Sequence, residues 1–491
     1  MSDEILISVG LAETRAALLA HGRLQELEIW RPDQQVLAGA IYLGRVSALA
    51  PGLDGAFVAL GEAREGFLGR RDLGPAAGPD DGATAVRRRL NEGQAVLVQV
   101  RRAASGGKGA LLTMAPTLPG HTLAYRPHAR AAVLSRRIAE PAERTRLRAL
   151  AERLSGPGGA FIVRTAAAGI EAAALEREAE ALRQRWREIE AAAAGAAAPA
   201  CLDGDDDPVI RTLREHLHPG IASVRLDDGE ALRRARAWCR QAAPWALSRL
   251  ALHEGEAALF ERHGVEAAIE AALGPRLMLP GGGWLSIEST EALTAIDVNA
   301  GAAAAGERRQ AVALATNLEA AAEIARQLRL RRLGGLVVID FLRLDEAGDA
   351  GRVRAALDAA LAGDPTPTRR SEFSAFGLVE LSRRRRGAPL AERLGEPCRQ
   401  CRGRAWQPTA RTLAEALLRR AVAEARRSPG GVLRLIAAPE VIEALAGLPG
   451  LDAEALSRVL GRRVALVGEP GRAREAIEVA WQQREGRHDE A

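Results

Sequence analysis

The chain has 491 residues, 47% of them hydrophobic and 27% charged, which is material for about three to four domains of roughly 150 residues and gives no basis for global disorder. No uninterrupted apolar run approaches the roughly 20 residues of a membrane helix, and the acidic start Met1-Ser2-Asp3-Glu4 is unlike the positive start of a secretory signal; membrane-spanning, secreted and fibrous classes are therefore set aside. The net charge of +5 comes almost wholly from arginine, because Lys108 is the one lysine, and arginine keeps its proton and grips phosphate bidentately.

Most of the arginines read as compositional bias, which makes Lys108 and the clusters Arg136-Arg137 and Arg383–Arg386 the informative ones. Both clusters are expected to be solvated charge, part of it near a polyanion. Four cysteines (Cys201, Cys239, Cys398 and Cys401) are too few and scattered for a disulfide framework and fit a reducing cytoplasm.

In chain order, Glu4 to Ile29 predicts two or three strands. Five short β-like runs follow (Ala40–Val46, Ala56–Leu60, Gly66–Leu68, Gln94–Val100 and Ala110–Met114), separated by Pro/Gly turn signals, and predict a small barrel of the OB type. Within it, the spacing of Phe57 and Phe67 favours rings that fill the barrel core, with base stacking as the alternative. Lys108 lies on a Gly-rich turn, either simply solvated or reaching a phosphate. From Pro116 to about Ala200 the sequence predicts a mixed unit, with a strand at Phe161–Val163 and a helix over Glu171–Ala194, whose Ala/Gly tail marks a boundary. Helices are expected to dominate from Asp207 to Leu273, with Cys201 and Cys239 as buried small hydrophobes. The segment Thr409–Trp481 predicts a small α/β domain.

The most informative stretch is Leu285–Leu344. Leu293-Thr294-Ala295-Ile296 runs into Asp297-Val298-Asn299, and Leu336-Val337-Val338-Ile339 runs into Asp340, with an amphipathic helical pattern between them over Ala311–Leu330. A strand–helix–strand unit of this length joins parallel strands and brings both carboxyl ends to one sheet edge, where α/β sheets place ligands. Asn299, two residues beyond Asp297, shares its side of the strand. Two carboxylates and an amide suit Mg²⁺, a hard ion that takes one or two carboxylates and keeps several waters; the bland alternative is that each Asp caps a strand. Cys398-x-x-Cys401 offers two thiolates of the four that a structural Zn²⁺ wants. A second protomer could supply the rest across a two-fold axis, while a redox pair is the rival reading.

Several motifs resemble the ribonuclease E/G family. They are Ala40–Val46 with Pro51-Gly52-Leu53 and Gly55-Ala56-Phe57-Val58, Thr290–Asn299, Thr316–Ala321, Gly334–Phe341, Phe376-Gly377-Leu378 with Glu380–Arg383, and Cys398-Arg399-Gln400-Cys401. The resemblance runs through nearly the whole chain in order. It implies a mixed α+β and α/β multidomain protein: ribonuclease H-like parts at 1–35 and 206–275, an S1 (OB-type) barrel at 36–115, a 5′-sensor at 116–205, a DNase I-like catalytic subdomain at 276–395, a zinc link at 396–406 and a small C-terminal domain at 407–491.

The implied activity is Mg²⁺-dependent, single-strand-specific endoribonuclease cleavage to 5′-phosphate and 3′-hydroxyl ends. It would be stimulated by a 5′-monophosphate and would serve rRNA and tRNA processing and mRNA decay. The implied roles are Asp297 and Asp340 on Mg²⁺, Asn299 orienting them or the phosphate, Phe57, Phe67 and Lys108 on RNA, and Gly120, Arg164 and Thr165 around the 5′-phosphate. Cys398 and Cys401 would share Zn²⁺ in a homodimer or homotetramer. The end shortly after the small domain resembles the shorter members of the family, of the ribonuclease G type. Two departures stand out: Ala375, where the family usually has Arg, and Arg343, near a usual acidic position. Ala375 motivates the alternative of an S1-domain RNA-binding protein with weakened or lost cleavage, against which the intact Asp297, Asn299 and Asp340 stand.

Overall fold

The computed structural model describes residues 3–31, 38–61, 64–74, 85–103, 109–204, 207–301, 309–398, 400, 401, 403, 407–427, 431–448 and 451–482. The chain divides into two compact units, Met1–Arg393 and Leu394–Ala491. It is a mixed α/β multidomain protein.

The first unit begins with the strands Asp3–Val9, Thr14–Ala20 and Arg23–Trp30, as the opening pattern predicts. They do not form a sheet alone. Asp3–Val9 pairs in parallel with Ile221–Leu226, which pairs with Leu250–Leu252, completing five strands. Helices therefore do not account for all of the segment after Asp207. Val224 and Leu226 alternate inward onto Ile5 and Ile7, a period-two pattern that belongs to a half-buried strand.

Between these two stretches lies the barrel. Strands Ile41–Ala50, Gly55–Gly61, Arg64–Gly69, Ala110–Thr113 and Ala95–Arg102 pair in that order, and the first also pairs with the last, which closes the ring. Closure removes the exposed edges that an open sheet of short strands would present. Val46, Ala56, Val58, Leu68, Val96, Val98 and Leu112 fill the interior. Next come a four-stranded sheet and the helices Pro141–Leu154 and Ala172–Gly195, packed around Phe161, Leu147, Leu175 and Trp186. After the long helix the chain returns to the barrel, where Ala200–Asp203 pairs with its first strand. Cys239 is buried as expected, whereas Cys201 on this added strand is exposed.

The last sheet of this unit has six strands, in the order Arg276–Met278, Trp284–Ser289, Leu293–Asn299, Gly335–Asp340, Leu378–Arg383 and Thr368–Arg370. Helices Arg309–Leu330 and Ala347–Leu361 contribute to the core on one face, where Ile296, Val298, Val337, Ile339, Val379 and Leu381 meet Ile324, Leu328, Val353 and Leu357. On the same strands, Ala295, Asp297, Leu336, Asp340 and Glu380 are exposed, so the opposite face is open. Arg383 departs from the expected solvated cluster. It continues the inward alternation Val379, Leu381, Arg383 and is buried against Asp364 at 2.7 Å. It also donates to the Leu333 carbonyl and the Thr366 hydroxyl. Arg136 and Arg137 are exposed, as expected.

The second unit is a three-stranded sheet, Arg463–Gly468, Val432–Ala437 and Glu478–Gln482. Its helices Ala410–Ala425, Pro439–Ala446 and Ala453–Leu460 pack around Leu417, Leu433, Leu435, Val441 and Leu456. Among the described residues, no helix is long and apolar enough to cross a membrane.

Candidate active site

The strands Leu293–Asn299 and Gly335–Asp340 are adjacent and parallel, and their register pairs Asp297 with Asp340. Neighbouring strands lie about 4.8 Å apart and paired residues point to the same face, so the two carboxylates stand side by side on the open face. Both are exposed. Asn299 donates from Nδ2 to Asp297 Oδ2 at 2.8 Å, which ties that carboxylate to its strand neighbour. Among the described residues no arginine pairs with either carboxylate. Two adjacent carboxylates without a cation repel each other, and an all-oxygen donor set of this kind fits Mg²⁺.

The helix Arg309–Leu330 holds this rim from behind. Asn317 is fully buried, donates to the Leu342 carbonyl at 2.8 Å and accepts from the Leu342 amide at 3.0 Å. It thereby clamps the backbone two residues past Asp340. Two positions on, Glu319 accepts from the Gly281 amide at 2.9 Å, in the turn before the strand that pairs with Asn299. The motif Thr316–Ala321 carries part of the family resemblance, but the sequence alone assigns no role to Asn317. The available signal was Thr316-Asn317 with Glu319 inside the otherwise apolar stretch Ala311–Ala322.

Phe57 and Phe67 are cross-strand partners, with ring centroids 5.6 Å apart in an edge-to-face arrangement. The spacing-based expectation of core-filling rings is corrected. Their neighbours Ala56, Val58 and Leu68 point inward, so both phenylalanines lie on the outer wall, half-buried. Gly55 makes this possible, because a Cβ there would collide with the Phe67 ring. Lys108 lies outside the described residues.

Gly120, Arg164 and Thr165 come together just beyond strand ends of a third sheet. Arg164 Nη1 donates to the carbonyls of Gly120 (2.5 Å) and Arg214 (3.0 Å), and burial draws its pKa below the ordinary arginine value. Thr165 Oγ1 lies 2.9 Å from Ser135 Oγ. A Cβ on Gly120 would strike the Glu178 carboxylate, which accepts from the His121 and Thr122 amides. Arg164 and Thr165 line a cleft together with Ser135, Arg137, His216 and His218. Burial also pushes His121 down to about 4, so it is neutral near pH 7.

The aspartate pair, the phenylalanine pair and the Arg164 group thus sit on three different sheets. The ribonuclease E/G family model matches residues 117–386, a span that includes the paired aspartates. The chain belongs to the ribonuclease E/G family. It is 33% identical over 477 residues to ribonuclease G of Escherichia coli, covering 96% of this chain and 98% of that protein. It is 38% identical over 393 residues to ribonuclease E of a Nostoc species, covering 79% of this chain and 57% of that protein. Against ribonuclease E of Haemophilus influenzae it is 37% identical over 397 residues, covering 80% of this chain and 42% of that protein. The chain therefore spans about half the length of these ribonuclease E relatives.

In the second unit, Cys398 is exposed and Cys401 half-buried. The backbone N–H groups of Cys401 and Gln400 are directed at the Cys398 sulfur and draw its thiol below the usual range. Such a thiolate-favouring turn fits a metal ligand. Elsewhere in this ribonuclease E/G chain, Glu26, Glu28 and His216 bring potential ligand atoms within 4.8 Å of one another. Arg332 already pairs with Glu28 there, offsetting charge that a cation would need.

Proposed function

We propose that this chain is an endoribonuclease that hydrolyses single-stranded RNA at the rim formed by Asp297, Asn299 and Asp340, leaving 5′-phosphate and 3′-hydroxyl ends. The register that places Asp297 beside Asp340 on an open sheet face, in a chain of this family, carries the reading. Asp297 and Asp340 would hold Mg²⁺. When bound, that ion supplies Lewis-acid stabilisation of charge at phosphorus and orientation of an attacking water. Asn299 keeps the Asp297 carboxylate turned toward the rim, and Asn317 fixes the chain beyond Asp340, so neither acid has to reorganise when substrate arrives.

RNA reaches the rim along the barrel, where the rings of Phe57 and Phe67 stack bases and Lys108 meets a phosphate. Arg164 and Thr165 take the 5′-monophosphate, with Gly120 bracing the guanidinium, and this contact stimulates cleavage. Cys398 and Cys401 share a Zn²⁺ with the same pair from a second copy, making a dimer or a tetramer. Activity in the cytoplasm on rRNA and tRNA precursors and decaying mRNA fits these features. The divisions at 1–35, 36–115, 116–205, 206–275, 276–395, 396–406 and 407–491, with their subdomain likenesses, belong to the same proposal.

Cleavage of a 5′-monophosphorylated, A/U-rich oligonucleotide with and without Mg²⁺ tests it. Asp297→Asn or Asp340→Asn is expected to lower cleavage by about a thousandfold or more while leaving RNA affinity largely intact. Full activity in either variant refutes the site. Tight binding by the unaltered chain without product, at any Mg²⁺ concentration, replaces the enzyme with an RNA-binding protein.

A further inference from the structure

Aromatic residues are scarce in this chain at 3%, and six of its seven phenylalanines are buried or half-buried. Phe376 is 89% exposed. It is held in that position by the turn it occupies. The Gly377 amide donates to the Ser374 carbonyl at 3.0 Å, and the Ser374 amide donates to the Leu378 carbonyl at 2.8 Å. Ser374 Oγ accepts from the amides of Phe376 (3.3 Å) and Leu378 (3.2 Å). Just before the turn, Phe373 packs inward against Phe341 at 5.8 Å, and Phe341 directly follows Asp340. One phenylalanine of the segment thus anchors it to the core while the other is turned to solvent.

The location is what gives this exposure a meaning. Leu378 is the register partner of Asp340, and two residues, at most about 7 Å of chain, separate it from Phe376. The open face continues the apolar surface through half-buried Leu378 and Val338 to Leu336, which is 45% exposed. A protein partner or a membrane covering this surface would also cover Asp297 and Asp340, and burying two carboxylates without cations is costly. A nucleic acid strand arriving with its divalent cation meets no such penalty. It also brings flat apolar faces, which stack on a phenyl ring regardless of base identity.

We propose that Phe376 is a base-stacking residue that receives one nucleobase beside the scissile phosphate. The proposal rests on the cleavage site at Asp297 and Asp340 described above. Phe376 offers no donor or acceptor, so it selects a position in the strand and not a base. It works together with the barrel pair Phe57 and Phe67, and the reacting phosphodiester is held between an aromatic contact on the catalytic sheet and others on the barrel.

The test uses the full chain and oligonucleotides with one cleavage site, in which a single abasic residue is stepped through the positions flanking the scissile bond. The unaltered protein is expected to lose about 5- to 150-fold in kcat/KM at one abasic position. Phe376→Ala is expected to lose a similar factor on the intact oligonucleotide and to show no further loss at that position, while Phe376→Trp retains activity. Because the side chain is exposed, all variants should melt at the same temperature. Unchanged kcat/KM in Phe376→Ala overturns the proposal, as do losses that multiply at every abasic position. A change in oligomeric state with unaltered cleavage also overturns it, in favour of a contact between copies. Asp340→Asn separates the two levels: if it cleaves normally the site reading fails, and if it is inactive while Phe376→Ala is normal, only the stacking role fails.

Discussion

Asp364 and the pair Asp297/Asp340 belong to the same sheet region and meet opposite fates. Burial pushes the Asp364 carboxyl up, but the Arg383 guanidinium and the Thr366 amide more than offset this and hold it below the usual carboxylate range. On the open face, Asp297 accepts from the Asn299 amide, and among the described residues neither Asp297 nor Asp340 pairs with an arginine. An acid in this region is therefore structural or chemical according to whether the fold itself supplies its counter-charge. Asp364 is neutralised within the chain, whereas on the proposed reading the counter-charge of the rim acids would be a bound cation.

The contrast can be broken most forcefully at its structural end. Arg383→Leu leaves a buried carboxylate unpaired and is expected to cost about 3–5 kcal/mol of stability, read as a lowered denaturation midpoint of the Met1–Arg393 unit. The double variant Arg383→Leu/Asp364→Leu should recover much of that loss. A single variant as stable as the parent would show that the pair is not what keeps this charge tolerable.

At the chemical end, Asn317→Ala frees the backbone after Asp340. It is expected to lower kcat by about 10- to 100-fold and to raise the Mg²⁺ concentration for half-maximal cleavage, as loss of a supporting hydrogen-bond partner does at metal sites, with RNA affinity unchanged. Loss of stability alone, with the Mg²⁺ dependence unaltered, would reduce Asn317 to a packing residue. The smallest effect on catalysis is expected from Cys398→Ser. It should lower bound zinc and reduce the mass seen in ultracentrifugation while leaving the rim chemistry of each chain intact. Unchanged zinc and mass would remove the shared-metal link.

Much of this arrangement is legible in the residues. The two apolar runs ending in Asp297 and Asp340, joined by one amphipathic helix, specify parallel neighbours, and the four residues before each Asp, Leu293–Ile296 and Leu336–Ile339, pair in register. The five turn-separated runs of the barrel are equally plain. Period-two alternation says that Phe57 and Val58 face opposite ways but not which of them is inside, and in a small barrel the aliphatic side chains took the interior. Arg383 hid within a run of arginines, although its place in the alternation Val379, Leu381, Arg383 marked it as inward. The strand Ile221–Leu226 carries Arg225 and is flanked by helical patterns, and its identity depends on a partner at the far end of the sequence.

That long-range pairing has a consequence for how the protein is made. Asp3–Val9 leaves the ribosome well before its parallel neighbour Ile221–Leu226, which emerges more than two hundred residues later, roughly ten to forty seconds at ordinary elongation rates. During that interval the three-stranded opening segment presents an unfilled edge, the kind of surface that chaperones cover and that stray strands join. The barrel and the four-stranded sheet, encoded in between, can form as a self-contained insertion while the edge waits. Nascent-chain truncations ending before Ile221 should accordingly be protease-sensitive at the opening strands and protected in the barrel.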